Sequence, residues 1–199
     1  MARVVKEHLV EARIYHWIHL ISIIVLAITG WFIHWPFFTA AMSTMRFIHF
    51  IFMYVVVFNL ILRLSYAFLS RNRDWREFGL GWKQIKAIPG TALYYLFIRK
   101  EVPDVVVKYN PMQKLTYILF AILIIPQALT GFALYTSTAS YFNWVTNLLG
   151  GLARVRAWHF FIMWIFIILV AVHIYLSLFE DFAQFKYMVL SVTPEELKK

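Results

Sequence analysis

The chain has 199 residues, of which 62% are hydrophobic, 19% aromatic and only 15% charged, against roughly 25% charged in a soluble domain; that composition belongs in a membrane. It has no cysteine, which excludes thiolate-ligated iron–sulfur clusters, covalently attached c-type haem, disulfides and thiol nucleophiles. The formal charge of +9 does not point to nucleic acid, because the bases gather in one connecting segment while the aromatics lie inside apolar runs.

Crossing about 30 Å of hydrocarbon takes about 20 helical residues, and lipid offers the backbone no hydrogen-bond partner outside its own helix. Four apolar runs meet that length, at about 14–38, 47–69, 115–135 and 157–179. They predict an all-α fold, an integral membrane four-helix bundle, with 1–199 as a single domain. The first run is too long for the apolar core of a signal peptide, and no small-residue cleavage site follows it.

Orientation follows from Lys and Arg, which gather in cytoplasmic connections. Arg3, Lys6 and Arg13 precede the first span, and Arg71, Arg73, Arg76, Lys83, Lys86, Arg99, Lys100, Lys108 and Lys114 lie between the second and third; the opposite side carries Arg46, Arg154 and Arg156. Both termini, the connection 70–114 and the tail 180–199 are therefore expected in the cytoplasm. Within the connection, 84–100 has a short apolar stretch flanked by bases and interrupted by Pro89 and Gly90, which predicts an interfacial amphipathic helix. The tail reads similarly, with Thr193-Pro194-Glu195-Glu196 as a helix start.

An ionisable group inside a membrane is costly and needs a function or a partner. Of seven histidines, His8 falls in the polar leader and His34 near the outer end of span one. The others are His16 and His19 in span one, His49 in span two, and His159 and His173 in span four. Fourteen residues at 100° each make four turns less about 40°, so His159 and His173 share one face and stand roughly 21 Å apart along the axis. One lies near each membrane surface, and they cannot share an ion.

His49 and His159 are each the third residue of their predicted span and are level near the outer surface. His173 lies near the inner end of span four, and its counterpart must come from the start of span one. Depth alone leaves His16 and His19 both open, His19 matching slightly better. Two transverse histidine pairs result, and a bis-imidazole pair on facing helices suits iron in a flat macrocycle, leaving no open position for oxygen or substrate. Two haem b groups are therefore expected. Gly30, fourteen residues after His16, and Gly131, near the outer end of span three, would give such a macrocycle room, although small residues also serve ordinary helix packing.

A single intramembrane histidine is as readily a structural group or proton relay as a ligand; four matched in depth and face favour haem. A haem-free transporter would ordinarily need carboxylates along its pathway, and the four spans contain no Asp or Glu. Arg63, fourteen residues beyond His49, could pair with an inner propionate or snorkel to the interface. Arg46 and Arg156 stand beside the outer histidines and could serve outer propionates. Asn59 and Gln127 are polar groups within spans and should hydrogen-bond.

The stretches RIYHW, TGWFI, RFIHF, TGFALY and WHFFIMWIFIILVAVHIYLSLFEDF resemble the diheme b-type cytochrome subunits of membrane-bound nickel–iron hydrogenases and the related formate dehydrogenase gamma subunits, the hydrogenase group more closely. The resemblance implies His49 with His159 as axial ligands of an outer haem and His16 with His173 as those of an inner one. His19 is then an alternative ligand or a contact for a propionate, a quinone or a neighbouring helix. It also implies electrons arriving from the iron–sulfur small subunit of a hydrogenase, whose large subunit splits dihydrogen, and leaving to menaquinone or ubiquinone. Asn110 and His173 are implied as quinone contacts, with Gln113 in the same segment, although Asn-Pro is also a good helix start. Glu101, Asp104, Glu180 and Asp181 could relay protons to the quinone.

The expected role is thus an electron-carrying anchor in the inner membrane among its lipids, and a homo-oligomer of the complex is compatible with it. The rivals are the same module on a formate dehydrogenase or thiosulfate reductase, a free-standing quinol-oxidising cytochrome, and a haem-free transporter or passive anchor.

Overall fold

A computed structural model describes residues 10–70, 75, 79–101, 111–137, 140–180 and 182–190. Arg3, Lys6, His8, Arg71, Arg73, Arg76, Asp104, Lys108, Asn110, Asp181 and the expected helix start at Thr193 lie outside the described residues, as does the side chain of Glu180. Helix α1 spans Val10–His34 and ends just before Trp35-Pro36, where the proline disfavours helical backbone in the residue preceding it. A 3-10 turn at Thr39–Ala41 leads into α2, Met42–Leu69. Helix α3 is Trp82–Tyr95, and α4, Pro111–Tyr135, opens on a proline, whose missing N–H costs nothing in a first turn. The short α5, Asn143–Leu149, closes on Gly150 at φ +80°, the left-handed backbone that favours glycine after a helix. Helices α6, Leu152–Glu180, and α7, Phe182–Leu190, complete the chain.

Four helices, α1, α2 with its preceding turn, α4 and α6, are long and apolar enough to cross a membrane, and all regular structure among the described residues is helical. All four spans begin earlier than their apolar runs suggest, α2 and α6 by five residues and α1 and α4 by four, because helices extend past the hydrocarbon into the interface. His49 and His159 are consequently each the eighth residue of a helix and not the third. Their equal depth survives, since both starts move together. The amphipathic helix of the long connection also forms, and it runs through Pro89 instead of breaking there. Its Thr91 hydroxyl donates to the Ala87 carbonyl at 2.8 Å, Lys83 and Lys86 face outward, and Lys86 lies over the Trp82 ring at 5.3 Å.

The spans pack as two antiparallel hairpins, α1 against α2 and α4 against α6, which touch each other more sparingly through α2 with α4 and α1 with α6. Between them an apolar layer of Ile124, Ile162 and Phe166, joined by Ile23, Leu60, Phe120 and Leu123, draws on all four spans. Phe166 stands seven residues from His159 and seven from His173. A second cluster, Ala133, Val145 and Val155, seats α5 against the outer ends of α4 and α6. At the other end the Met188 carbonyl of α7 accepts hydrogen bonds from Trp17 Nε1 at 3.2 Å and Arg13 Nη2 at 3.3 Å, tying the last described helix to the start of the first.

Candidate functional site

Four of the five intramembrane histidines meet as two pairs from facing helices. The rings of His49 on α2 and His159 on α6 have centres 6.4 Å apart and planes at 70°. Those of His16 on α1 and His173 on α6 lie 6.1 Å apart at 49°. Two metal–nitrogen bonds of about 2 Å, extended by the ring radii, put imidazole centres about 6 Å apart across one ion, so each pair has the span of a single metal centre. Among the described residues no group of three or more His, Cys, Asp or Glu could hold a metal. Two imidazoles per site suit iron whose other four positions come from a macrocycle, and they do not suit a cage built by protein alone.

The His49–His159 pair, called outer for its place at the end of the bundle away from the long connection, is held from behind in the same way on both sides. Thr29 Oγ1 on α1 lies 2.8 Å from His49 Nδ1, and Thr130 Oγ1 on α4 lies 2.9 Å from His159 Nδ1. Each hydroxyl also donates to the carbonyl one turn earlier, Thr29 to Val25 at 2.6 Å and Thr130 to Pro126 at 2.7 Å. Beside each threonine is a glycine pressed against the same ring. A Cβ on Gly30 would come within 3.3 Å of His49 Cε1, and one on Gly131 within 3.1 Å of His159 Cε1. Both glycines, expected to leave room for a macrocycle, thus make room first for the histidines. Gln127 Nε2 reaches His159 Nε2 at 3.3 Å, and its Oε1 is buried with no hydrogen-bond partner among the described residues.

At the inner pair, Tyr117 and Phe120 of α4 close on His173 edge-on, with centres at 5.6 and 6.1 Å. His19 is turned elsewhere. The Asn59 amide of α2 donates to the Tyr15 carbonyl at 2.8 Å, and its nitrogen also meets His19 Nδ1, which lies 3.1 Å from the same carbonyl. His19 Nε2 is buried with no hydrogen-bond partner among the described residues. The geometry brings His16, and not His19, to His173.

The other expected site residues are less convergent. Arg46 and Arg156 are exposed beside the outer pair, and Arg63 is half-buried on α2 with its guanidinium 5.7 Å from the Tyr66 ring. Gln113 is buried at the start of α4, and Glu101 is exposed. His34, passed over as an interfacial residue, stacks on Phe160 with centres 3.8 Å apart and planes at 7°, directly beside His159.

Thr29 and Thr130 escape the sequence reading, although the sequence carries their signal. The pattern Arg-x-x-His-Phe-x-x-Met occurs twice, from Arg46 to Met53 and from Arg156 to Met163, and each copy follows a Thr-Gly pair on the preceding span. The repeat is reciprocal in space: a Cβ on Gly30 would lie 3.6 Å from Met163 Sδ, and one on Gly131 would lie 3.7 Å from Met53 Sδ. Fourteen residues before the glycines stand His16 and Tyr117, and fourteen after the outer histidines stand Arg63 and His173. The outer pair therefore follows the repeat, and the inner pair departs from it.

A family model described as prokaryotic cytochrome b561 matches residues 10–191. The chain belongs to that family. Membership of this b-type cytochrome family implies haem b and an electron-transfer role in the inner membrane. A relative from Rhizobium leguminosarum bv. viciae is 31% identical, over 92% of this chain and 84% of its own, and one from Azotobacter chroococcum is 30% identical over 85% and 78%. Both are named probable Ni/Fe-hydrogenase B-type cytochrome subunits. One from Escherichia coli K12, named a probable Ni/Fe-hydrogenase 1 B-type cytochrome subunit, is 28% identical over 89% of this b561 chain and 85% of its own.

Proposed function

We propose that this chain, as one membrane cytochrome domain, holds two haem b groups and passes electrons from the iron–sulfur subunit of a nickel–iron hydrogenase to quinone, serving also as that complex's membrane anchor. The observation that carries this reading is the presence of two imidazole pairs, each with the span of one bis-ligated iron. His49 and His159 would hold the outer haem, and His16 and His173 the inner one. When bound, haem iron would supply one-electron exchange.

The chain's own residues set the conditions for that chemistry. The apolar layer around Phe166 keeps water from the space between the two levels. Gln127 Nε2 lies 3.3 Å from His159 Nε2 and would give up that contact where the histidine holds haem. Arg63 would pair with an inner propionate, and Arg46 and Arg156 with the outer ones. The quinone site is assigned to Asn110, Gln113 and His173, as the family resemblance implies. With both termini and the long connection in the cytoplasm, as the distribution of Lys and Arg supports, the His49–His159 pair faces the opposite, hydrogenase-bearing side. The names of the relatives support a hydrogenase as partner over a formate dehydrogenase.

Purification of the chain from its native membrane, with a pyridine haemochrome assay and identification of co-purifying subunits, tests this. Two haem b per chain together with hydrogenase subunits is the expected result. A haem-free chain, one haem, or a different catalytic partner would each overturn the corresponding part of the reading.

A further inference from the structure

We infer that Thr29 and Thr130 are matched positioning residues that fix the proton of each outer histidine on Nδ1, so that both Nε2 lone pairs face the space between them. The inference rests on the haem reading above and concerns how this chain prepares its outer donors. A threonine hydroxyl has one hydrogen and two lone pairs. Thr29 donates that hydrogen to the Val25 carbonyl at 2.6 Å, and Thr130 donates its own to the Pro126 carbonyl at 2.7 Å. Each oxygen can then only accept from the histidine nitrogen 2.8 or 2.9 Å away. His49 and His159 are thereby left with a proton on Nδ1 and a lone pair on Nε2, the form that ligates a metal. The Gln127 amide, which can only donate through its nitrogen, marks the same lone pair on His159.

The device is built twice because the hairpins repeat one another. Each threonine reaches across its own hairpin, from α1 to α2 and from α4 to α6, and the adjoining glycine lets the ring come close enough to be held. Both threonines are buried, at 3% exposure, so water does not compete for the acceptor. An imidazole that donates from Nδ1 becomes a more basic ligand through Nε2, which favours the ferric form. The two threonines therefore hold the outer reduction potential down.

The test compares Thr29→Val, Thr130→Val and the corresponding serine variants in the purified complex, by haem content and by potentiometric titration of the visible bands. Each valine variant should keep its haem and shift the outer ferric–ferrous equilibrium towards ferrous by up to about tenfold, about 59 mV for one electron, leaving the inner potential in place. Each serine variant should restore the wild-type value. Unchanged potentials in the valine variants, or serine variants shifted as far as valine, overturn the inference while leaving the haem reading intact. Should valine remove the outer haem altogether, retention by serine supports the inference and loss in both overturns it. A wild-type chain without haem overturns the reading beneath, and this inference with it.

Discussion

Asn59 decides between two histidines that depth alone leaves equal. Its amide nitrogen meets both the Tyr15 carbonyl and His19 Nδ1, and Nδ1 lies 3.1 Å from that same carbonyl, so the His19 ring is held away from His173. His16→Ala should therefore lower haem content from two to one per chain. His19→Ala should retain both haems and cost about 1–3 kcal/mol of stability, because it strips a buried donor of its partner; a pyridine haemochrome assay and thermal loss of the Soret band read the two effects separately. If His19→Ala alone lost a haem, the inner pairing would be wrong. The glycines give a graded version of the same argument. A Cβ at Gly131 meets His159 Cε1 at 3.1 Å and one at Gly30 meets His49 Cε1 at 3.3 Å. Gly131→Val and Gly30→Val should both displace a ring and lose the outer haem, whereas Gly30→Ala should retain more of it than Gly131→Ala, as measured by haem per chain.

At the level of the helices, hydropathy and the 100° step were enough to find four spans and to put His159 and His173 on one face, because both depend on residues within a single helix. Matching His49 to His159 needed only topology. The early starts of α1, α2, α4 and α6 were hidden because polar residues such as Glu11, Ser43 and Gln113 can sit in helix ends that project into the interface. Short α5 was hidden because seven residues ahead of the Gly150-Gly151 turn carry too little periodicity. The threonine contacts depend on the register of one helix against the next, which no single-span pattern encodes; only the doubled Arg-x-x-His-Phe-x-x-Met motif would have revealed it. Phe166 belongs to this scale as well, since α6 carries it midway between its two histidines while α1, α2 and α4 pack around it. Phe166→Ala should leave a cavity costing about 3 kcal/mol and lower the thermal midpoint, while both haems stay bound. Loss of either haem would mean that Phe166 shapes a ligand site and does not merely separate the two.

For the whole molecule, the functional reading depends on which face of the membrane each end occupies, and the composition supplies a direct way to read it. The chain has no cysteine, so an introduced thiol is the only target for a maleimide. Tyr141 is 79% exposed in the connection between α4 and α6, and Trp82 is 69% exposed at the start of α3; the four spans put these positions on opposite sides. Tyr141→Cys should react with a membrane-impermeant maleimide in intact spheroplasts, and Trp82→Cys only after the membrane is opened. That outcome sets the His49–His159 pair towards the outside, within reach of a hydrogenase docked there, and the His16–His173 pair towards the cytoplasm. The reverse labelling would put the basic connection outside, against the bias that normally orients membrane proteins. The outer pair would then face the cytoplasm, and the proposed donor side and quinone side would have to exchange.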